Sequence, residues 1–348
     1  MSTPLDSREP SLAPTQERSR QRAAWTEQRE RGSQWVLRVM RWIAVSAGRP
    51  MARVVLHPIA LYFLLANGKA RRASRAYLTR ALQRPAGLRD VYRHIHHFAA
   101  SILDRVYFLQ DRLREFELRA TGLDVLDAAM APGNGVMLVG AHLGSFEALR
   151  AIGQERGVKV AMLMFEDNAR LITRTLAAIA PQAQLHTIAL GRAGAMLSLR
   201  RWLDDGGLAG LLADRTLPGQ AEQSNSGSGS GSGSRSRSNA HSHSHTRRLP
   251  FLGQPARFSD GPFRLAALLR RQVVFMAGLY LGGKRYELRF VALADFREPV
   301  AGDAGEARIL AAMQRYVMLI EALCIESPYN WFNFFDFWAP DAADADAE

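Results

Sequence analysis

The 348-residue chain has one cysteine, Cys324. A lone cysteine excludes an internal disulfide, is compatible with folding in a reducing compartment, and rules out a cluster of thiolate metal ligands. Lysine is nearly as scarce. Lys69, Lys159 and Lys284 are the only three among 45 Lys and Arg, so the net charge of +12 is carried by arginine. Long apolar runs are missing too. The longest near the N-terminus covers residues 54–66 and is interrupted by Pro58, against the roughly 20 residues needed to cross a bilayer. Met1 to Arg31 is polar and Arg-rich, with no apolar run leading to a small-residue cleavage site, so no signal peptide is expected and the protein is placed on the cytoplasmic side.

An excess of arginine predicts a negatively charged partner: nucleic acid, anionic lipid headgroups or an acidic protein. The arginines are spread along the chain and no zinc, OB or RNA-recognition signature accompanies them, so no nucleic acid is expected. Residues 1–33 lack apolar periodicity and read as a disordered basic N-terminus. Residues 34–85 follow as a helical segment. Trp35, Trp42 and Tyr62 are interleaved with apolar residues, and Arg49 and Arg53 separate the two apolar stretches. That pattern fits a helix pair lying in an anionic membrane surface, with Lys69, Arg71, Arg72, Arg75 and Arg80 beside it for lipid phosphates. A pair of core helices packed on the domain is the competing reading. His94, His96 and His97 invite a metal, with His94 and His97 on one helical face, but no set of carboxylate and fourth ligand is evident nearby, and a core or surface role is preferred.

From residue 124 strands alternate with helices. Gly135–Gly140, Lys159–Met164, Leu185–Ala189, Leu208–Ala213, Val273–Tyr280 and Arg285–Val291 read as strands. Helices are expected over Glu147–Gly153, Asn168–Ile179, Met196–Leu203 and Ala307–Ala322. The expected class is α/β, a mostly parallel sheet flanked by helices, with functional residues at strand C-terminal ends. Residues 220–246 are Ser/Gly, Ser/Arg and His/Ser repeats without core residues, and are read as a flexible insertion. His241, His243 and His245 within it have no expected catalytic role. The structured domain therefore covers 86–338, followed by an acidic tail, 339–348. The aromatic ending, Tyr329 to Trp338, is either a core-packed terminal segment or an interfacial edge that helps hold a lipid.

The sharpest local signal is Ala141-His142-Leu143-Gly144-Ser145-Phe146-Glu147. His142 follows a strand, Gly144-Ser145 makes a turn and a cap, and Glu147 falls in the first turn of a helix. A carboxylate on one imidazole nitrogen fixes the tautomer and raises the basicity of the other, which can then take a proton from a hydroxyl. The helix N-terminus offers backbone N–H groups to a developing oxyanion. Alternatively, His142 caps the strand and Glu147 makes a capping box or an ion pair. Ser145 lacks the Gly-x-Ser-x-Gly setting of a hydrolase nucleophile.

His142-x4-Glu147 after an apolar strand resembles the His-x4-Asp/Glu motif of lysophospholipid-type acyltransferases, and more narrowly the lauroyl and myristoyl transferases of lipid A biosynthesis. Gly210-Leu-Leu-Ala-Asp214-Arg215, Phe251-Leu-Gly-Gln-Pro-Ala256, Gly261-Pro-Phe-Arg-Leu-Ala-Ala267 and the ending at Trp338 also fit. The resemblance implies a glycerolipid acyltransferase-like fold, an acyl-carrier-protein thioester as donor, a lipid or glycolipid hydroxyl as acceptor, no cofactor and no metal. It places the protein on the cytoplasmic face of the cell inner membrane. His142 would be the general base and Glu147 its partner; Gly144, Ser145, Asn168, Asp214 and Arg215 would bind substrate, the last two holding the acceptor, orienting the site or forming an ion pair. An acyl-CoA donor in a glycerolipid or phosphoglycolipid acyltransferase is the alternative within the same fold, and an anionic-membrane or nucleic-acid binding protein the alternative outside enzymes. Glu166-Asp167 stand before Asn168 where lipid A transferases tend to carry an Arg, so the chain looks more like the acyltransferases of aryl polyene pathways.

Overall fold

The computed structural model describes residues 48–131, 133–148, 153, 156–165, 186–191, 194–215 and 246–338. Three helices open it: α1 (Gly48–Ala66), α2 (Gly68–Ala81) and α3 (Leu88–Leu109). Apolar residues cover α1 on two sides. Ala52, Leu56, Ala60 and Leu64, four apart, are buried, while Met51, Val54, Leu61, Tyr62 and Leu65 are exposed on the other side. Pro58 is accommodated within α1 without ending it. Asn67 caps α2 by accepting from the Ala70 N–H, and the chain bends there by 97°. Among the described residues no single helix is long and apolar enough to cross a membrane, although the bent pair α1–α2 is so by length and composition.

Strand β1 (Glu117–Thr121) and helix α4 (Leu123–Met130) lead into β2 (Met137–Gly140), which is buried throughout. Then come β3 (Val160–Phe165), β4 (His186–Leu190), α5 (Ala195–Asp204) and β5 (Leu208–Leu212). A hairpin of β6 (Thr246–Phe251) and β7 (Gln254–Ser259) precedes α6 (Gly261–Leu268), β8 (Gln272–Tyr280), β9 (Arg285–Asp295) and α7 (Gly302–Glu326). The main sheet has seven strands in the order β1-β9-β8-β2-β5-β3-β4. Five of its pairings are parallel; β8–β9 is antiparallel. The α/β class with a mostly parallel, helix-flanked sheet is thus as the strand–helix alternation predicted. The antiparallel pair follows from a short link through Gly282 and Gly283, both at positive φ.

Successive side chains of a strand point to opposite faces, and here each face meets a helical layer. Met137, Val139, Phe275 and Ala277 join a core with α2, α5, α7 and the hairpin. Leu138, Val274 and Met276 join a second core with α1, α3 and α4. Helix α7 buries Ile309, Met313, Tyr316, Val317, Ile320 and Cys324 at helical spacing. The predicted strands lie within a residue or two of those observed, except that β9 runs on to Asp295. Strand β1 falls just before residue 124, where the alternation of strands and helices was expected to begin. The expected helix 168–179, the aromatic residues Trp35 and Trp42, and residues 220–245 of the insertion lie outside the described residues.

Candidate active site

Strand β2 lies where the sheet order reverses, with β5 on one side and β8 on the other. Crevices at the carboxyl ends of strands at such a point are where open α/β sheets bind ligands. The parallel register pairs Gly140 with Leu212. Two residues further along each strand, the period of a strand face brings His142 and Asp214 together.

The His142 Nδ1–H donates to Asp214 Oδ1 at 2.8 Å. The backbone N–H of His142 donates to Asp214 Oδ2 at 3.1 Å, and the Trp331 indole N–H donates to the same oxygen at 2.8 Å. One buried carboxylate therefore takes three donors, two of them from the residue it orients. Burial pushes the Asp214 carboxyl up, but the His142 imidazole, the indole N–H and the Arg215 guanidinium more than offset it, leaving the group below its ordinary range. An ionised acceptor on Nδ1 sets the tautomer: the proton sits on Nδ1 and Nε2 keeps its lone pair. The ring is 31% exposed and Asp214 only 1%, so the histidine faces solvent from a dry support.

Glu147, expected to be the histidine's carboxylate, is held elsewhere. It is buried, accepts from the Ser145 hydroxyl at 3.2 Å, and lies 2.7 Å from Arg105 Nε of α3 in an ion pair outside hydrogen-bond alignment. The placement of Glu147 has a backbone cause. Gly144 adopts φ +68°, where a Cβ would stand 1.9 Å from the Gly278 carbonyl oxygen. A Cβ on Gly278 would in turn meet the Ser145 carbonyl at 2.2 Å. These two glycines let the loop lie flat on β8, and that path turns Glu147 toward α3.

Gly144 and Ser145, expected to bind substrate, have their backbone N–H groups engaged by the carbonyls of Asn330 and Gly278 at 2.9 and 2.7 Å. Leu143 N–H is likewise engaged by the Ala141 carbonyl. These three donors fix the loop instead of pointing at a substrate. Ser145 is buried with its hydroxyl on Glu147, not presented for attack. Arg215 is exposed beside the site, donating from Nη2 to the Phe332 carbonyl and lying over the Phe335 ring. Asn168 lies outside the described residues.

Sequence reasoning did not place Asn330 and Trp331 in the site. The Asn330 side chain brackets Tyr280 of β8, accepting from its N–H at 2.8 Å and donating to its carbonyl at 3.1 Å. Trp331 pairs with Leu143 in an antiparallel bridge, and the Phe332 N–H donates to the His142 carbonyl at 2.8 Å. The aromatic ending is thus core-packed at Trp331, with only Phe335 of its large rings substantially exposed. Of the histidine trio, His94 is fully buried between the Ser74 hydroxyl and the Trp331 carbonyl, each 2.8 Å away. Among the described residues no His, Cys, Asp or Glu cluster suits a metal ion. No family model and no curated protein matches the chain.

Proposed function

We propose that the protein is an acyltransferase in which His142, oriented by Asp214, is the general base for attack of a lipid hydroxyl on an acyl thioester. The observation that carries this reading is the half-exposed imidazole whose Nδ1–H is fixed on a buried carboxylate at 2.8 Å. Its Nε2, without a partner among the described residues, is what a hydroxyl needs to lose its proton. The acceptor O–H gives its proton to His142 Nε2 as the oxygen bonds to the thioester carbonyl carbon. The tetrahedral adduct collapses with cleavage of the C–S bond, and the imidazolium returns the proton to the departing thiolate. No acyl-enzyme forms, in keeping with the buried Ser145 hydroxyl.

The acceptor class is supported by α1. Its exposed Met51, Val54, Leu61, Tyr62 and Leu65 form an apolar strip, and exposed Lys69, Arg72 and Arg75 stand beyond the bend on α2. An apolar strip edged by cations suits the surface of an anionic leaflet. Helix α3 joins the two regions: Asp104 binds Arg49 and Arg53 of α1, while Arg105 binds Glu147. The proposed setting is the cytoplasmic face of the inner membrane, with an acyl carrier protein as donor.

The test is turnover of acyl-carrier-protein and acyl-CoA thioesters with a membrane-lipid extract, using the unaltered chain and His142→Ala. A labelled lipid that disappears with His142→Ala is expected. An acyl group trapped on the protein, or equal rates for the two chains, would refute the mechanism.

A further inference from the structure

The C-terminal segment Asn330–Phe332 reaches the candidate site from three sides. Asn330 takes the Gly144 N–H and locks onto β8 through Tyr280; Phe332 takes His142 by its carbonyl and Arg215 by its guanidinium. Between them the fully buried Trp331 aims its only polar side-chain atom at Asp214 Oδ2. Rings of Tyr77, Phe251 and Phe337 pack edge-on around the indole, and the His94 ring donates to its carbonyl from the far side. The indole therefore has little freedom to turn.

We propose that Trp331 is a positioning residue for the His142–Asp214 pair, its indole N–H occupying the Asp214 oxygen that is not bonded to the ring. The role rests on the reading of His142 as the base, and it adds to that reading the element that decides where the proton sits. An indole is a donor only. It cannot take the place of the imidazole, so it directs Oδ1 to Nδ1 and holds the carboxylate ionised. It also withdraws charge from the carboxylate, which limits how strongly Asp214 pulls on the imidazole proton. Arg215 and the phenol of Tyr316 lie near Asp214, with the buried Cys324 thiol beneath, and the Arg105–Glu147 pair is across the loop.

The experiment compares Trp331→Phe with Trp338→Phe in the full chain. Both remove an indole N–H from the same aromatic cluster, but Trp338 Nε1 is buried and has no hydrogen-bond partner among the described residues, so only Trp331→Phe removes a bond seen there. Titration of the His142 ring by NMR reads the effect whether or not any acyl group is transferred. Trp331→Phe should raise the ring's midpoint, because the uncompensated carboxylate holds the imidazolium more strongly. The acid limb of the pH–rate profile should move by the same amount, with kcat at neutral pH down about tenfold and the donor KM unchanged. Trp338→Phe should shift neither. Should Trp331→Phe not fold, one indole resonance of the unaltered chain must still titrate with the His142 ring. A midpoint unmoved by Trp331→Phe, equal shifts in both variants, or indole resonances all indifferent to the His142 titration would overturn the proposal. Loss of turnover alone would bear on the acyl-transfer reading; the titration decides the role of Trp331.

Discussion

Replacing Asp214 by asparagine separates the two candidate carboxylates. Asparagine has nearly the same shape but one acceptor oxygen and an NH₂ group in place of two acceptors. Three donors converge on the native carboxylate: His142 Nδ1–H, His142 N–H and Trp331 Nε1–H, at 2.8, 3.1 and 2.8 Å. If the amide oxygen stays on Nδ1, the NH₂ faces two N–H donors. If the amide turns over, it donates to Nδ1, the ring proton moves to Nε2, and the lone pair proposed to take the substrate proton is gone. Either arrangement strands at least one donor at a site 1% exposed, and one such donor costs about 1–3 kcal/mol.

The expected result for Asp214→Asn is a folded chain, destabilised by about 1–3 kcal/mol for each stranded donor, with acyl transfer down by about 10²–10⁴. Glu147→Gln should fall by less than about tenfold, because it weakens an ion pair whose arginine is 31% exposed and leaves His142 on its carboxylate. Single-turnover rates with an acyl-carrier-protein thioester and urea midpoints measure both quantities. If Glu147→Gln abolished turnover while Asp214→Asn stayed within a few-fold, Glu147 would be the histidine's partner and the cross-strand assignment would fail.

Gly144→Ala should destabilise the chain by more than the about 1–3 kcal/mol of a left-handed non-glycine residue, since its Cβ also lands 1.9 Å from the Gly278 carbonyl oxygen; the urea midpoint reports it. Asp104→Ala should cost about 3–5 kcal/mol by leaving cations unpaired, because the fully buried Asp104 accepts from Arg49, Arg53 and Tyr286; thermal unfolding of Asp104→Ala against the unaltered chain checks it. Burial lowers the His94 imidazole from 6.5 to about 4, so between those values the unfolded chain binds more protons. Stability should therefore rise with pH from about 4 to 6.5 and be complete above it, and a urea midpoint flat across that window would show His94 to be hydrated or charged.

Much of the fold was legible because its signals are local. The apolar run ending at Gly140, the helical spacing from Ile309 to Cys324, and the separation of strands by helices all act within a few residues of chain. What was not legible depends on partners distant in sequence. Strand β2 pairs with β5, not with the β3 that follows it, and only that register places Asp214 opposite His142, 72 residues away. The five-residue spacing to Glu147 was the nearer signal and misled, because the backbone between them is bent by contacts with β8. The hairpin β6–β7 was missed for a related reason. Its strands carry Pro250, Pro255 and charged residues and, among the described residues, pair only with each other, so they lack the apolar runs of the central sheet.

The cross-strand origin of the dyad also bears on how such a site is kept rigid. A His–Glu pair within one turn would depend on the geometry of a short loop. The pair observed spans two adjacent parallel strands whose backbone bonds continue to its edge: the Ala213 N–H donates to the Gly140 carbonyl at 2.9 Å, and the Tyr316 hydroxyl donates to the same carbonyl at 2.7 Å. Movement of His142 relative to Asp214 would require β2 to slide along β5, which breaks ladder bonds and unpacks both cores at once. Substitutions far from the imidazole but inside that frame, such as at Tyr316 or Gly278, should accordingly act on the rate through the separation of His142 and Asp214.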